Sequence, residues 1–176
     1  MTTLTKTVLE KYPNDIFVET GTAYGEAVRL AILCGFKKIY SIEINPDLVR
    51  ANQQQYADLI KLGSLEIIEG DTSIIFPELI KRLEGRATFW LDAHWDGGPL
   101  GTVKCPLPME LEAIHQHAIK NHTIMIDDRR CFGVGNWGAG IVESEIIGKL
   151  KQINPNYTVG YENGCVPDDI ITAVIR

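Results

Sequence analysis

Two sets of residues in this 176-residue chain have the types and spacing to do chemistry. The first runs from Ile16 to Gly25. It is an apolar stretch that stops at Glu19 and turns through Gly21 and Gly25 in the pattern Glu-x-Gly-x-x-x-Gly, with Tyr24 beside the second glycine. That spacing differs from the Gly-x-Gly-x-x-Gly that brings bare backbone and a helix N-terminus against an anionic pyrophosphate. A carboxylate two residues before the first glycine opposes an anion there and suits a ligand bearing positive charge. The second set is Asp92, His94 and the pair Asp127-Asp128. Crowded carboxylates either raise one another's pKa or bind a cation, and oxygen ligands suit Mg²⁺. His94 adds an imidazole able to take a hydroxyl proton near neutral pH.

Periodicity and breakers show which elements must hold these residues in place. Ile16 to Glu19 reads as a short strand, and Tyr24 to Leu33 as a helix with Ala27, Leu30 and Ala31 on its apolar stripe and Gly35 as its stop. Lys38 to Glu43 is a second strand. Asn45 and Pro46 have the types of a cap and a first helical residue, and the helix they open is expected to run towards Leu59. A third strand, Ser64 to Glu69, precedes Gly70-Asp71 and a helix over Ser73 to Leu83 with Pro77 in its first turn. Strand Ala87 to Leu91, a Gly/Pro-rich loop, helix Pro108 to Ile119 and strand Thr123 to Ile126 come next. A loop over Asp127 to Gly140, a helix from Val142 to Ile153, and strands Tyr157 to Tyr161 and Ile170 to Ile175 close the chain.

Strands alternating with helices imply a parallel sheet covered on both faces. The connection 162–169 is too short for a parallel crossover, so the last two strands should return antiparallel. The expected fold is a single α/β domain over residues 1–176, with a Rossmann-like, doubly wound, mostly parallel seven-stranded sheet ending in an antiparallel hairpin. Ligands of such sheets lie beyond the carboxyl ends of the strands, where Glu19, Glu43, Asp71, Asp92 and Asp127-Asp128 all fall. Glu43, ending the second strand, is placed to accept from ribose hydroxyls; a glutamate there can equally cap the next helix.

Composition narrows the partners. A net charge of −6 without any block of lysine or arginine argues against nucleic acid. No apolar run approaches the roughly 20 residues of a membrane span, and the first residues lack the apolar segment of a signal peptide, so a cytoplasmic protein is expected. Cys34, Cys105, Cys131 and Cys165 form no Cys-x-x-Cys pair and suggest neither zinc nor disulfides. His115 and His117, two apart on a helix, point to different faces and make a poor metal pair. The expected partner is a small molecule or glycan, and a homo-oligomer is compatible with the sequence.

The Glu19–Gly25 pattern resembles the first motif of class I S-adenosylmethionine-dependent methyltransferases. The resemblance implies that Glu19, Gly21, Tyr24, Gly25 and Asp92 bind that sulfonium cofactor, that Glu43 meets its ribose and that Asp71 meets the exocyclic amine of its adenine. Leu91-Asp-Ala-His-Trp95 followed by Ile126-Asp-Asp128 is similar to segments of divalent-metal-dependent O-methyltransferases, both of catechol type and of macrocin sugar type. That likeness implies Asp92, Asp127 and Asp128 as ligands of Mg²⁺, with Asp92 and His94 in catalysis. The chain departs from the catechol pattern by one extra residue between Asp92 and His94, and by Asp96-Gly-Gly where a lysine base would follow Trp95. His94 therefore stands in as the candidate base, its alternative being a histidine packed against a strand-end carboxylate.

The expected activity is methyl transfer to a hydroxyl of a small molecule or sugar. Arg129 and Arg130 could instead neutralise the aspartates without a metal. The glycine-rich loops 96–106 and 129–140 leave strand ends, and Trp95, Phe132 and Trp137 could wall an acceptor or anchor those loops to the core. Two other classes compete. A nicotinamide-dependent oxidoreductase is opposed by the missing middle glycine, Asp71 and the closing hairpin; a non-catalytic cofactor-binding module would share the fold.

Overall fold

The structure, a computed structural model, describes residues 2–94 and 101–175. In chain order its elements are α1 (Lys6–Leu9), β1 (Ile16–Thr20), α2 (Glu26–Leu33), β2 (Lys38–Glu43), α3 (Pro46–Gln55), α4 (Ala57–Lys61), β3 (Leu65–Glu69) and α5 (Thr72–Ile80). Then come β4 (Ala87–Leu91), α6 (Leu107–Gln116), β5 (Thr123–Ile126), a 3-10 turn (Arg129–Cys131), α7 (Gly135–Gly138), α8 (Glu143–Ile153), β6 (Thr158–Glu162) and β7 (Ile170–Val174). The strands form one sheet in the order β3-β2-β1-β4-β5-β7-β6, parallel except for β7, which runs antiparallel to both β5 and β6. This is the doubly wound sheet with a terminal hairpin that the element order implies. Among the described residues no helix is long and apolar enough to cross a membrane.

Strands buried on both faces explain the near-continuous apolar runs Ala87–Leu91 and Thr123–Ile126. Alternation sends Phe17, Trp90 and Met125 to one layer with Leu9, Ala27, Val28 and Val49, and Val18, Phe89 and Ile124 to the other with Phe76, Leu79, Leu111, Ile114 and Leu150. Truncating one fully buried member, as in Leu111→Ala, costs about 2–5 kcal/mol.

Register sets the level of the site. Thr20 pairs with Leu91, and Leu91 with Ile126, so the chain leaves β1, β4 and β5 abreast at Gly21, Asp92 and Asp127. Because β2 and β4 flank β1 on opposite sides, the connections leaving β1 and β4 diverge and open a crevice between their ends.

Local departures from expectation have physical reasons. Thr5 caps the unforeseen α1 by accepting from Val8 N–H, and buried Val8 and Leu9 anchor a helix too short to show a period. The helix opened by Asn45 and Pro46 stops at Gln55 and restarts at Ala57, with Tyr56 between them donating from its hydroxyl to Gly25 O at 3.0 Å. Asp71 caps α5, which begins at Thr72, one residue before the expected start, and Pro77 stands inside the helix as its sixth residue, past the first turn.

Candidate functional site

The crevice is a cavity of about 680 Å³, within the range of small-molecule sites. Gly21, Thr22 and Ala23 of the loop after β1 line it. Gly21 has φ +84, and a Cβ there would stand 2.5 Å from Asp92 O, so only glycine lets β1 and β4 end this close together. Gly25 has φ +75, and a Cβ would meet Asn52 Oδ1 at 2.2 Å, so this glycine serves the packing of the loop on α3. Between them Ala23 adopts φ +46, a conformation costing of order 1 kcal/mol. Two bonds of 2.8 Å hold it there: its N–H donates to Glu43 Oε2, and its carbonyl accepts from Asn52 Nδ2.

The acids at the first three strand ends are arranged differently from one another. Glu19 is buried beside the loop and accepts from the Ser41 hydroxyl, which also bonds Thr22. Burial first, and the nearby Glu43 carboxylate after it, push Glu19 up to about 8 against the Ser41 hydrogen bond. Glu43 accepts from Ala23 N–H and Asn45 N–H, each at 2.8 Å, and so both clamps the loop and supports the next helix. Asp71 accepts at Oδ1 from the backbone and hydroxyl of Ser73, and at Oδ2 from Thr102 N–H. Burial alone would raise Asp71, but these bonds outweigh it and hold the carboxyl below its usual value.

The fourth and fifth strand ends form a second centre. Asp92, His94 and Asp128 each offer a ligand atom, all within 4.8 Å of one another. His94 Nε2 bonds Asp128 Oδ2 and lies 3.6 Å from Asp92 Oδ1. Its ring stacks on buried Trp137, with centroids 3.8 Å apart and planes at 24°. Burial, then Asp127, Asp128 and Glu19, raise the Asp92 carboxyl well above its ordinary value. Burial also pushes Asp127 up to about 6, although the Thr3 hydroxyl and Asp128 N–H both donate to its Oδ1. For Asp128 burial is outweighed by His94 and Arg130, which hold it below the usual range.

Of the two arginines considered as neutralising partners, Arg129 turns to Glu143 and only Arg130 reaches the centre. Arg130 Nη1 lies against both Asp128 Oδ1 and Asp169 Oδ2, so one guanidinium nitrogen is shared between the two carboxylates.

Glu19, Gly21, Glu43, Asp71, Asp92, His94 and Asp128 thus line one cavity. Three expected residues do not. Tyr24 is 73% exposed and stands outside the wall, because the loop turns it to solvent. Gly25 packs against α3 and Tyr56. Asp127 is buried beneath the cavity, lining a small void of about 10 Å³ with His94 and Glu110. Trp137 anchors its loop and supports His94 rather than walling an acceptor, and Phe132 meets it edge-on. Trp95 and residues 96–100 lie outside the described residues. The His115/His117 pair stays apart from this centre, with His117 bonded to His122 at 2.9 Å.

Sequence reasoning missed Glu26, Lys104, Asn136 and Thr2 on the wall. Glu26 was within reach, since it follows Gly25 in the first turn of α2. Lys104 and Asn136 belong to the two glycine-rich loops and bond across them, Lys104 Nζ donating to Asn136 Oδ1 at 2.6 Å. Nothing in the sequence pointed to Thr2.

No protein-family model matches the chain, and no curated protein matches it either. Solved structures do. A candidate rRNA methylase from Clostridium thermocellum is similar with a TM-score of 0.65 at 12% identity, covering 96% of this chain and 94% of its own. SAH-bound methyltransferase PaMTH1 from Podospora anserina scores 0.63 at 14% identity over 97% of this chain and 76% of its own. A candidate caffeoyl-CoA O-methyltransferase from Staphylococcus aureus scores 0.59 at 16% identity, over 97% and 80%. The fold is that of class I methyltransferases.

Proposed function

We propose that the chain is an S-adenosylmethionine-dependent methyltransferase acting on a hydroxyl oxygen of a small molecule or sugar, assisted by a divalent cation, Mg²⁺ by the sequence resemblance. The observation that carries the cofactor reading is the charge of the crevice. Glu26, Glu43, Asp71 and Asp128 line it together with Glu19 and Asp92, whose burial favours the neutral acid, and Lys104 is the one lysine or arginine among its described lining residues. A sulfonium and an ammonium are attracted to such a wall, whereas the phosphates of a nicotinamide dinucleotide are repelled by it. Glu43 retains lone pairs for ribose hydroxyls beyond those used by Ala23 and Asn45. Ile44, Leu48 and Val103 supply apolar wall for an adenine, and Asp71 stands beside them for its amine.

Asp92 and Asp128 fit a divalent ion because, with His94 between them, their ligand atoms lie within 4.8 Å of one another. Such an ion, when bound, lowers the pKa of a coordinated hydroxyl. Alignment of the reactants would fall to the chain itself: Asp92 lines the cavity beside His94, and the Lys104–Asn136 bond ties two lining loops together. His94 sits between the two carboxylates, a position open to proton acceptor or ligand.

A cofactor-binding module without turnover is the second reading, favoured by Arg130, which already compensates Asp128. An RNA acceptor, suggested by the Clostridium likeness, fits less well, since a chain of net charge −6 repels a phosphate backbone. The test monitors formation of S-adenosylhomocysteine across a panel of sugar and phenolic acceptors, with and without Mg²⁺. Turnover raised by Mg²⁺ and removed by Asp92→Asn supports the methyltransferase; cofactor binding that ignores the metal, with no turnover on any acceptor, supports the module.

A further inference from the structure

Which ion the second centre takes depends on which atoms remain free to face one point. The expected trio of Asp92, Asp127 and Asp128 is not the set that converges. Asp127 Oδ1 is committed to the Thr3 hydroxyl and to Asp128 N–H. The other acidic group, Asp127 with Asp128 and Asp169, is spanned by Arg130, whose guanidinium already contacts Asp128 and Asp169. Asp92, His94 and Asp128 are left, and all three open onto the cavity.

Geometry and chemistry agree on a role for the imidazole. Neighbouring ligand atoms around an octahedral ion with bonds of about 2.1 Å stand about 3 Å apart. The 3.6 Å between His94 Nε2 and Asp92 Oδ1 is close to that spacing, and Nε2 faces both carboxylates. Trp137 holds the ring in this orientation from its face, and Arg130 pairs with Asp128 Oδ1 while Oδ2 of the same carboxylate meets the imidazole. A nitrogen ligand changes the preferred ion. Mg²⁺ keeps to oxygen and sheds water reluctantly, whereas imidazole with carboxylates suits first-row transition ions.

We propose that Asp92, His94 and Asp128 form a two-carboxylate, one-imidazole site for a first-row transition divalent cation such as Mn²⁺ or Co²⁺, in preference to Mg²⁺. This rests on the divalent-ion reading of the second centre, and it makes His94 an ion ligand rather than the proton acceptor. The remaining coordination positions would face the cavity and the acceptor's oxygens.

Calorimetric titration of the full chain with Co²⁺ and with Mg²⁺, repeated for His94→Gln and Asp92→Asn, tests it without any acceptor. Co²⁺ is expected to bind at least about tenfold tighter than Mg²⁺. His94→Gln should weaken Co²⁺ roughly 10- to 100-fold while changing Mg²⁺ less than about threefold, and Asp92→Asn should remove both. Pulsed electron paramagnetic resonance of the unmutated protein with Mn²⁺ should show coupling to an imidazole nitrogen, a readout that stands even if a variant fails to fold. Binding of both ions that His94→Gln leaves untouched, or Mn²⁺ bound without nitrogen coupling, overturns the proposal while the divalent-ion reading survives. If neither ion binds in an Asp92-dependent way, that reading falls with it.

Discussion

The two ends of the cavity hold their carboxylates in opposite ways. At the cofactor end, backbone N–H groups of Ala23 and Asn45 donate to Glu43, and those of Ser73 and Thr102 to Asp71. These donors belong to the fold, so the charges are compensated before anything binds. At the acceptor end Asp92, Asp127 and Asp128 crowd together and depend largely on the side chains of His94, Arg130 and Thr3. Burial and mutual repulsion drive Asp92 well up and Asp127 to about 6. The backbone preorganises one end, while the other rests on side chains and leaves its carboxylates crowded.

The contrast can be broken most violently at the loop. Gly21→Ala puts a methyl group 2.5 Å from Asp92 O at a φ of +84 and is expected to cost about 2–4 kcal/mol, with loss of cofactor binding, in denaturant melts and ligand titrations. An unchanged melt would show that the loop is not clamped. Asp92→Asn should do the reverse. Removing a carboxyl that its surroundings already disfavour costs the fold about 1 kcal/mol or less, while methyl transfer falls by roughly 100-fold or more. A large loss of stability with activity retained would make Asp92 structural.

Glu19 sharpens the comparison, because it is the cofactor-end acid that no backbone donor compensates among its resolved hydrogen bonds. Its carboxyl is raised from 4.5 to about 8, so the neutral form is the one the fold favours. That contribution is fully present below the unfolded value and is lost as pH rises through the folded one. Between about pH 5 and pH 9 the chain should therefore lose roughly 1–3 kcal/mol relative to Glu19→Gln in urea melts. Parallel pH profiles for the two proteins would mean that the carboxyl is solvated. The smallest effect belongs to Tyr24. Exposed as it is, Tyr24→Ala should leave stability within about 0.5 kcal/mol and cofactor affinity within about threefold; a greater loss would return it to the cofactor.

Period and strand ends were the legible part of the sequence. Alternation of strands and helices, with the short 162–169 connection, led to the sheet, and strand-terminal acids led to Glu19, Glu43, Asp71, Asp92 and Asp128. The rest turns on side-chain direction. Tyr24 and Gly25 share the motif with Gly21, yet the turn sends one to solvent and the other against Asn52. Asp127 and Asp128 are adjacent, yet the backbone turns left-handed at Asp128 (φ +57), and Asp127 is buried while Asp128 lines the cavity. Distant pairings such as Thr3 with Asp127, or Trp137 on His94, have no local signature. They arise only when the sheet brings separate loops together.

The most direct test is calorimetric titration of the chain and of Glu26→Gln, a change at a cavity-lining carboxylate, with S-adenosylmethionine, S-adenosylhomocysteine and NAD. The account predicts that both adenosyl ligands bind, that NAD does not, and that the substitution weakens the sulfonium ligand more than its neutral thioether product. Binding of NAD in this cavity, with neither adenosyl ligand taken up, would contradict it.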